Sequence, residues 1–283
     1  MRQHRAAFTA ISYQFYGICG AGSNAAGGSM DCTAADAVGV PHFARAHPTT
    51  VDEHLPAQLR RIFPEKELWP MIAYGNPGNS SVLNDLVDSP KATDAFIQDA
   101  IAAAHANNAS GYNFDIECFP GVVGKAAGDL SPNYPAFLKR FAHAMHAATP
   151  PIAVSYDGLP PDSAGVRHPI APEAPMDRWI SMATYTSNLT SFTTTVAQGL
   201  NISGSRFGIG LCPDCWFPAT PSAEEVKALF DVIAQHGSKV RELDLWAVAY
   251  RDGQNRSAVQ RDSWRLFWEQ SRKWLAAAAK PSI

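Results

Sequence analysis

Several things are scarce in this chain, and each scarcity excludes something. No apolar run reaches the roughly 20 residues a bilayer span needs, because the Ala-rich segments are broken by His, Asn and Lys. Charge is thin and nearly balanced: Asp, Glu, Lys and Arg make up 17% of 283 residues, the formal net charge is −3 and the pI is near 6.3. That balance supplies neither the basic face a nucleic acid requires nor an attraction to anionic lipid, and a neutral polymer such as a glycan suits it better. Cysteines number five. Cys212-Pro213-Asp214-Cys215 has no second closely spaced pair to complete a zinc site, so no metal is expected. A local disulfide there, and another from Cys19 to Cys32 across a Gly-rich segment, fit an oxidising compartment. Cys118 is left over, either packing at a rim or acting as a functional thiol. No linker or internal repeat divides the chain, so residues 1–283 are expected to form one domain.

What is present is an alternation of strand-like and helix-like segments. Residues 8–15, 38–43, 68–74, 110–117, 152–156, 179–185, 207–211 and 243–249 read as strands, from period-two patterning or β-branched and aromatic content. Residues 51–63, 93–107, 134–148, 222–236 and 262–278 carry helical stripes, and Ser222-Ala223-Glu224-Glu225 is a capping box. Eight strands with intervening helices in about 250 residues predict an α/β chain folded as a single parallel (β/α)8 TIM barrel. Between Gly17 and Gly39 there is no helical stripe, so a Gly-rich loop is expected in place of the first helix.

The stretch around which the chain is organised is Ser110-Gly111-Tyr112-Asn113-Phe114-Asp115-Ile116-Glu117. Tyr112, Phe114 and Ile116 alternate with Asn113, Asp115 and Glu117, so a strand here has one greasy face and one face with two acids and an amide. In a barrel jacketed by helices the greasy face packs outward and the polar face looks inward, with Glu117 at the C-terminal rim where barrel active sites lie. Residues two apart on a strand are about 6.5 Å apart at the backbone. If the carboxyl groups of Asp115 and Glu117 lean together, repulsion keeps a proton on one of them, which is the state a general acid needs at a glycosidic oxygen.

This stretch resembles the fourth-strand signature of glycoside hydrolase family 18, the chitinases and endo-β-N-acetylglucosaminidases, in which Asp-Gly-x-x-x-Asp-x-Glu ends a barrel strand. Gly111, Asp115 and Glu117 match; Ser110 stands where the family has its first Asp, and Asn113 is a variant of another. The resemblance implies a retaining, substrate-assisted reaction: Glu117 protonates the leaving oxygen, and Asp115 orients the substrate's N-acetyl group, which is the nucleophile. It also implies a GlcNAc-containing oligo- or polysaccharide as partner, with no cofactor. Met182-Ala183-Thr184-Tyr185 resembles the family's sixth-strand element, one residue longer, which makes Tyr185 either a contact to the N-acetyl group or a wall residue. Trp246 resembles the eighth-strand Trp that floors the sugar subsite, or is core. Asp157 either meets a sugar hydroxyl or starts a turn with Gly158, the turn being the simpler reading. Asn113 joins the substrate-binding candidates.

The remaining features are secondary. His42, His47 and His54, and the pair His143 and His146, lack ligand spacing. Trp216 and Phe217 form an apolar platform or a lid for the cysteine pair. No room exists after the seventh strand for an extra domain, so a shallow, open cleft is expected. Five sequons, at Asn79, Asn108, Asn188, Asn201 and Asn255, favour a secreted or secretory-pathway or lysosomal location, with any leader outside this chain. A monomer is expected. The alternative from another class is a chitinase-like lectin with weak or lost hydrolysis, against which Glu117 stands; a third is unrelated chemistry on the same barrel.

Overall fold

In the computed structural model, residues 6–21, 32, 39–45, 52–74, 81–116, 131–158, 175–212, 221–246 and 258–278 are described. Strands are interleaved with helices along them, with the first two strands consecutive and two helices consecutive after the third strand, and the fold class is α/β of the (β/α)8 barrel type. The chain divides into two compact units, one of Ala10–Asp157 with Ala164–Asp177, the other of Met1–Thr9, Gly158–Ser163 and Arg178–Ile283.

The first unit runs β1 (Ala10–Cys19), β2 (His42–Arg45), α1 (Leu55–Ile62), β3 (Glu67–Tyr74), α2 (Ser81–Asp88), α3 (Pro90–Ala106), β4 (Gly111–Ile116), α4 (Tyr134–Ala147) and β5 (Ala153–Gly158). Its strands lie in the order β2-β1-β3-β4-β5. β1, β3, β4 and β5 are mutually parallel, whereas β2 is antiparallel to β1, pairing His42 with Cys19 and Arg45 with Tyr16. This corrects the all-parallel expectation. The reason lies in how the chain leaves and returns: a disulfide joins Cys19 to Cys32, and the Ala21 amide donates to the Gly39 carbonyl at 3.1 Å. Both ends of the segment are thus held at the C-terminal end of β1, and a chain that re-enters where it left runs the other way. Most of the Gly-rich segment itself lies outside the described residues.

α2 went unread because it is a short helix of eight residues; its Val82, Leu83, Leu86 and Val87 are buried. α3 starts at Pro90 with the Ser89 hydroxyl accepting from the Ala92 amide, the usual arrangement of a capping serine followed by proline at the first helical position. The buried ring of Phe96 meets Phe137 and Phe141 of α4 at 5.9 and 6.1 Å and stands edge-on to Phe43 of β2 at 5.4 Å. These rings cover the helix-facing side of the strands.

The second unit contains β6 (Arg178–Ser181), α5 (Leu189–Ser203), β7 (Phe207–Leu211), α6 (Ala223–Gln235), β8 (Glu242–Leu245) and α7 (Ala258–Ala278). β6, β7 and β8 are parallel neighbours. β7 has the bounds expected from sequence, and the capping box of α6 is formed, with the Ser222 hydroxyl accepting from the Glu225 amide at 3.2 Å and the Glu225 carboxylate accepting from the Ser222 amide at 2.7 Å. α5 was hidden by its threonines, which are poor helix formers; Asn188 caps it and Phe192, Thr195, Val196 and Gly199 form its buried stripe. Phe8, read as the start of the first strand, instead lies before β1 and packs on Trp268 of α7 at 6.2 Å.

Candidate active site

β4 presents the two faces its pattern predicts. Outward, the Tyr112 hydroxyl donates to the Ala100 carbonyl of α3 at 2.7 Å, and Phe114 sets its ring edge-on to Phe141 at 4.7 Å. Inward, Asn113 and Asp115 are 1% and 6% exposed. The register stacks three layers towards the C-terminal strand ends. Ala153 is in register with Gly111 and the Trp69 ring lies against it, Met71 and Ser155 flank Asn113, and Ala73 and Asp157 flank Asp115.

Each layer has a distinct job. A Cβ on Gly111 would lie 2.6 Å from Cζ3 of Trp69 and 2.8 Å from the Ala153 carbonyl, so only glycine lets the indole lie under the acidic strand. The Trp69 indole N–H donates to Glu67 at 3.0 Å. In the middle layer the Asn113 amide donates to the Ser155 hydroxyl at 3.0 Å and reaches up to Oδ1 of Asp157 at 2.9 Å. In the top layer Ala73, and Gly17 beside it on β1, put almost no bulk next to Asp115.

Asp157 lies inside β5 and is 3% exposed, which corrects the turn reading. The strand continues because Asp157 is in register with Asp115 and anchored by Asn113. Glu117 and Cys118 lie outside the described residues, one and two positions beyond the last residue of β4.

Tyr185 and Trp246 belong to the second unit. β6 stops at Ser181, and the chain turns through Met182, whose carbonyl accepts from the Tyr185 amide at 3.1 Å. Tyr185 is therefore off the strand, and no bulge is needed for the extra residue. Fully buried Thr184 fixes the turn: its hydroxyl oxygen lies 2.6 and 2.7 Å from the carbonyl oxygens of Ser181 and Gly210 and bridges them through its proton. A Cβ on Gly210 would lie 2.8 Å from Cε1 of Tyr185, so the bare backbone there makes room for the ring. Trp246 follows β8, its amide donating to the Leu211 carbonyl at 2.9 Å. Both side chains are half-buried against the core that contains Ile209, Leu211 and Phe230.

Asp244 escaped the sequence reading. It pairs in register with Gly210, on the face opposite Leu243 and Leu245, which pack into the core. Burial pushes its carboxyl from an ordinary 3.8 up to about 6, against the pull of Arg178, whose guanidinium pairs with Glu242 at 3.2 Å. The alternation Glu242-Leu243-Asp244-Leu245 carries the same period-two signal that marked β4. Among the described residues no group of three or more His, Cys, Asp and Glu side chains could hold a metal ion, and no described helix is long and apolar enough to cross a membrane.

No family model matches the sequence, and no curated protein matches it by sequence. Solved structures do resemble its fold. A chitinase from Chromobacterium violaceum superposes with a TM-score of 0.61 at 13% identity, covering 97% of this chain and 93% of that one. The group IV chitinase of Ostrinia furnacalis, solved with allosamidin, gives 0.62 at 11% identity over 97% and 92%. The spore cortex-lytic enzyme SleL of Bacillus megaterium gives 0.61 at 11% identity over 98% of this chain and 68% of its own. Over its described residues this chain therefore has the chitinase-like (β/α)8 barrel fold of these solved structures.

Proposed function

We propose that the protein is a glycosidase that hydrolyses β-1,4 bonds next to N-acetylglucosamine, in chitin oligosaccharides or the core of N-glycans, by a retaining, substrate-assisted route. The observation that carries this reading is the buried polar cluster of Asn113 and Asp115 on β4 with Asp157 on β5, Asp115 lying two residues before Glu117 in sequence. Burying two acids and an amide on adjacent strands is costly, which favours a functional use for them.

In this scheme Glu117 donates its proton to the glycosidic oxygen as the bond from that oxygen to C1 breaks. The carbonyl oxygen of the substrate's own acetamido group bonds to C1 from the opposite face, giving a cyclic oxazolinium ion, while Asp115 accepts a hydrogen bond from the acetamido N–H and balances the charge. Water, deprotonated by Glu117, then opens the ring with net retention. Tyr185 and Trp246 are the proposed sugar contacts, the first by its hydroxyl and the second by its indole face. No cofactor enters.

The Cys19–Cys32 disulfide, and the disulfide-bonded state of Cys212, support an oxidising, secretory destination. The pairing of Cys212 with Cys215 lies outside the described residues. Among the sequons Asn108, Asn188 and Asn201 are exposed, as glycan acceptors must be.

The test is release of reducing sugar from chitotetraose and from a high-mannose N-glycopeptide by the wild-type chain and by Glu117→Gln. Cleavage lost in the variant supports the scheme, and the preferred substrate names the class. Binding of either glycan without cleavage by the wild type overturns it in favour of a lectin.

A further inference from the structure

The polar side of β8 stands beside the barest strand of its sheet. Leu243 and Leu245 pack into the core, which leaves Glu242 and Asp244 on the other face, in register with Gly208 and Gly210 of β7. The two layers differ. In the lower one a Cβ on Gly208 would meet Ile180 and Glu242 at 3.1 and 3.2 Å, and Arg178 reaches across from β6 to pair with Glu242 at 3.2 Å. Charge there is matched. In the upper layer Asp244 stands beside Gly210, against which the Tyr185 ring lies, its Cε1 2.8 Å from where a Cβ would be. Trp246 follows two residues later.

Asp244 is placed as a ligand contact would be. Among the described residues no hydrogen-bond donor meets its carboxyl, in contrast to Asp157, on which the Asn113 amide is aimed at 2.9 Å. Asp244 is half-buried, so its oxygens remain within reach of solvent or a ligand. The protein around it nonetheless withholds enough water to push the carboxyl up to about 6. Arg178 pulls the other way, but it is paired one layer below. At neutral pH the fold therefore keeps a carboxylate with unfilled lone pairs beside an aromatic ring, an arrangement that weakens the folded state until a donor fills it.

We propose that Asp244 is a further substrate-binding residue, whose carboxylate accepts a hydrogen bond from a hydroxyl or amide N–H of the sugar that Tyr185 and Trp246 contact. The identity of that ligand rests on the glycosidase reading. A pyranose suits the position, because its apolar face covers an aromatic ring while its hydroxyls, once stripped of water, need acceptors. The charged and titratable groups facing Asp244 are Arg178 on β6, Glu242 on β8 itself and Tyr185 after β6; β7 presents glycine. A donor from the ligand favours the ionised carboxyl, so bound ligand lowers the Asp244 midpoint, and by linkage the ligand binds more tightly as the pH rises through it.

The experiment follows the carboxyl signals of 13C-labelled Glu117→Gln protein, in which turnover is blocked, through a pH titration with and without saturating chitotetraose; Asp244→Asn in the same background assigns the Asp244 signal. Calorimetry gives the affinity of both proteins at about pH 5 and about pH 7. The expected result is an Asp244 midpoint that falls by about one pH unit with ligand, and an affinity at about pH 7 that is roughly tenfold weaker in Asp244→Asn. A midpoint that the ligand leaves in place, or an Asp244→Asn affinity within about twofold of its parent, overturns the proposal even in a chain that cleaves the glycan. Should Asp244→Asn fail to fold, Asp244→Glu assigns the signal and the ligand-dependent midpoint decides. The expected shift in a protein whose wild type cleaves neither glycan upholds Asp244 and sinks the glycosidase reading, and absence of chitotetraose binding overturns the proposal.

Discussion

The indole of Trp69 occupies the space that a side chain at position 111 would need, with Cζ3 2.6 Å from where that Cβ would sit. The glycine of the signature is thus explained by packing: it lets β4 lie close over the Trp69 ring, two residues before the inward Asn113. Gly111→Ala must move either the ring or the strand, and the Ala153 carbonyl at 2.8 Å blocks the other side. Overpacking of this kind costs about 1–3 kcal/mol, to be read as a lower urea midpoint with an unchanged slope.

Asp244 makes stability depend on pH. Its carboxyl holds a proton more tightly when folded, near 6, than at its ordinary 3.8. Its contribution is therefore complete below about pH 4 and is lost as the pH rises through about 6. Asp244→Asn is expected to remove that dependence and to be more stable than wild type at pH 7 by about 1–3 kcal/mol. Thermal unfolding at half-unit steps from pH 4 to 7 measures it, and parallel curves for the two proteins would refute the assignment.

Removal of the Cys19–Cys32 link, as Cys19→Ala with Cys32→Ala, frees a loop of 13 residues' separation. The chain-entropy estimate for a loop this size is about 3 kcal/mol. Chemical denaturation under non-reducing conditions should show a loss of that order, and β2, whose antiparallel entry depends on the link, should gain amide exchange before β3 does.

Thr184→Val removes the hydroxyl that bridges the carbonyls of Ser181 and Gly210. With both acceptors buried, the expected loss is about 1–3 kcal/mol. If Tyr185 contacts the sugar, KM for chitotetraose rises as well, since the turn that presents the ring is loosened; a stability loss with unchanged KM would leave Tyr185 a wall residue.

Asp115→Asn keeps the shape of the top layer and removes one of its two acids. Under the substrate-assisted scheme kcat falls by roughly 10²-fold or more, and a substrate lacking the N-acetyl group is not cleaved by either protein. Equal rates for wild type and Asp115→Asn on chitotetraose would reject the assigned role.

Period two was enough to read β4 from sequence, because burial on both sides of a strand leaves no freedom about which residue faces which way. The same held for β7, for the capping box of α6 and for the stripes of α3 and α4. The helices α2 and α5 were not legible: one is a single short stripe, and the other is written in threonines whose propensity opposes the helix that Asn188 and the buried Phe192 nevertheless impose. Asp244 carries the same alternation that marks Asp115, but a four-residue strand is too short for that pattern to stand out, and its in-register place beside Gly210 is visible only in the sheet.

What the sequence alone determined is the alternating order of strands and helices and the chemistry of one strand face, since both follow from local periodicity and residue type. The partnerships were decided only by tertiary structure. That β2 runs backwards follows from a covalent link and a hydrogen bond that pin both ends of a segment at one end of β1. That Asp157 belongs to a strand beside Asp115, and not to a turn, follows from parallel register. No reading along the chain reaches either result, because each depends on which residues of distant segments are brought within hydrogen-bonding distance.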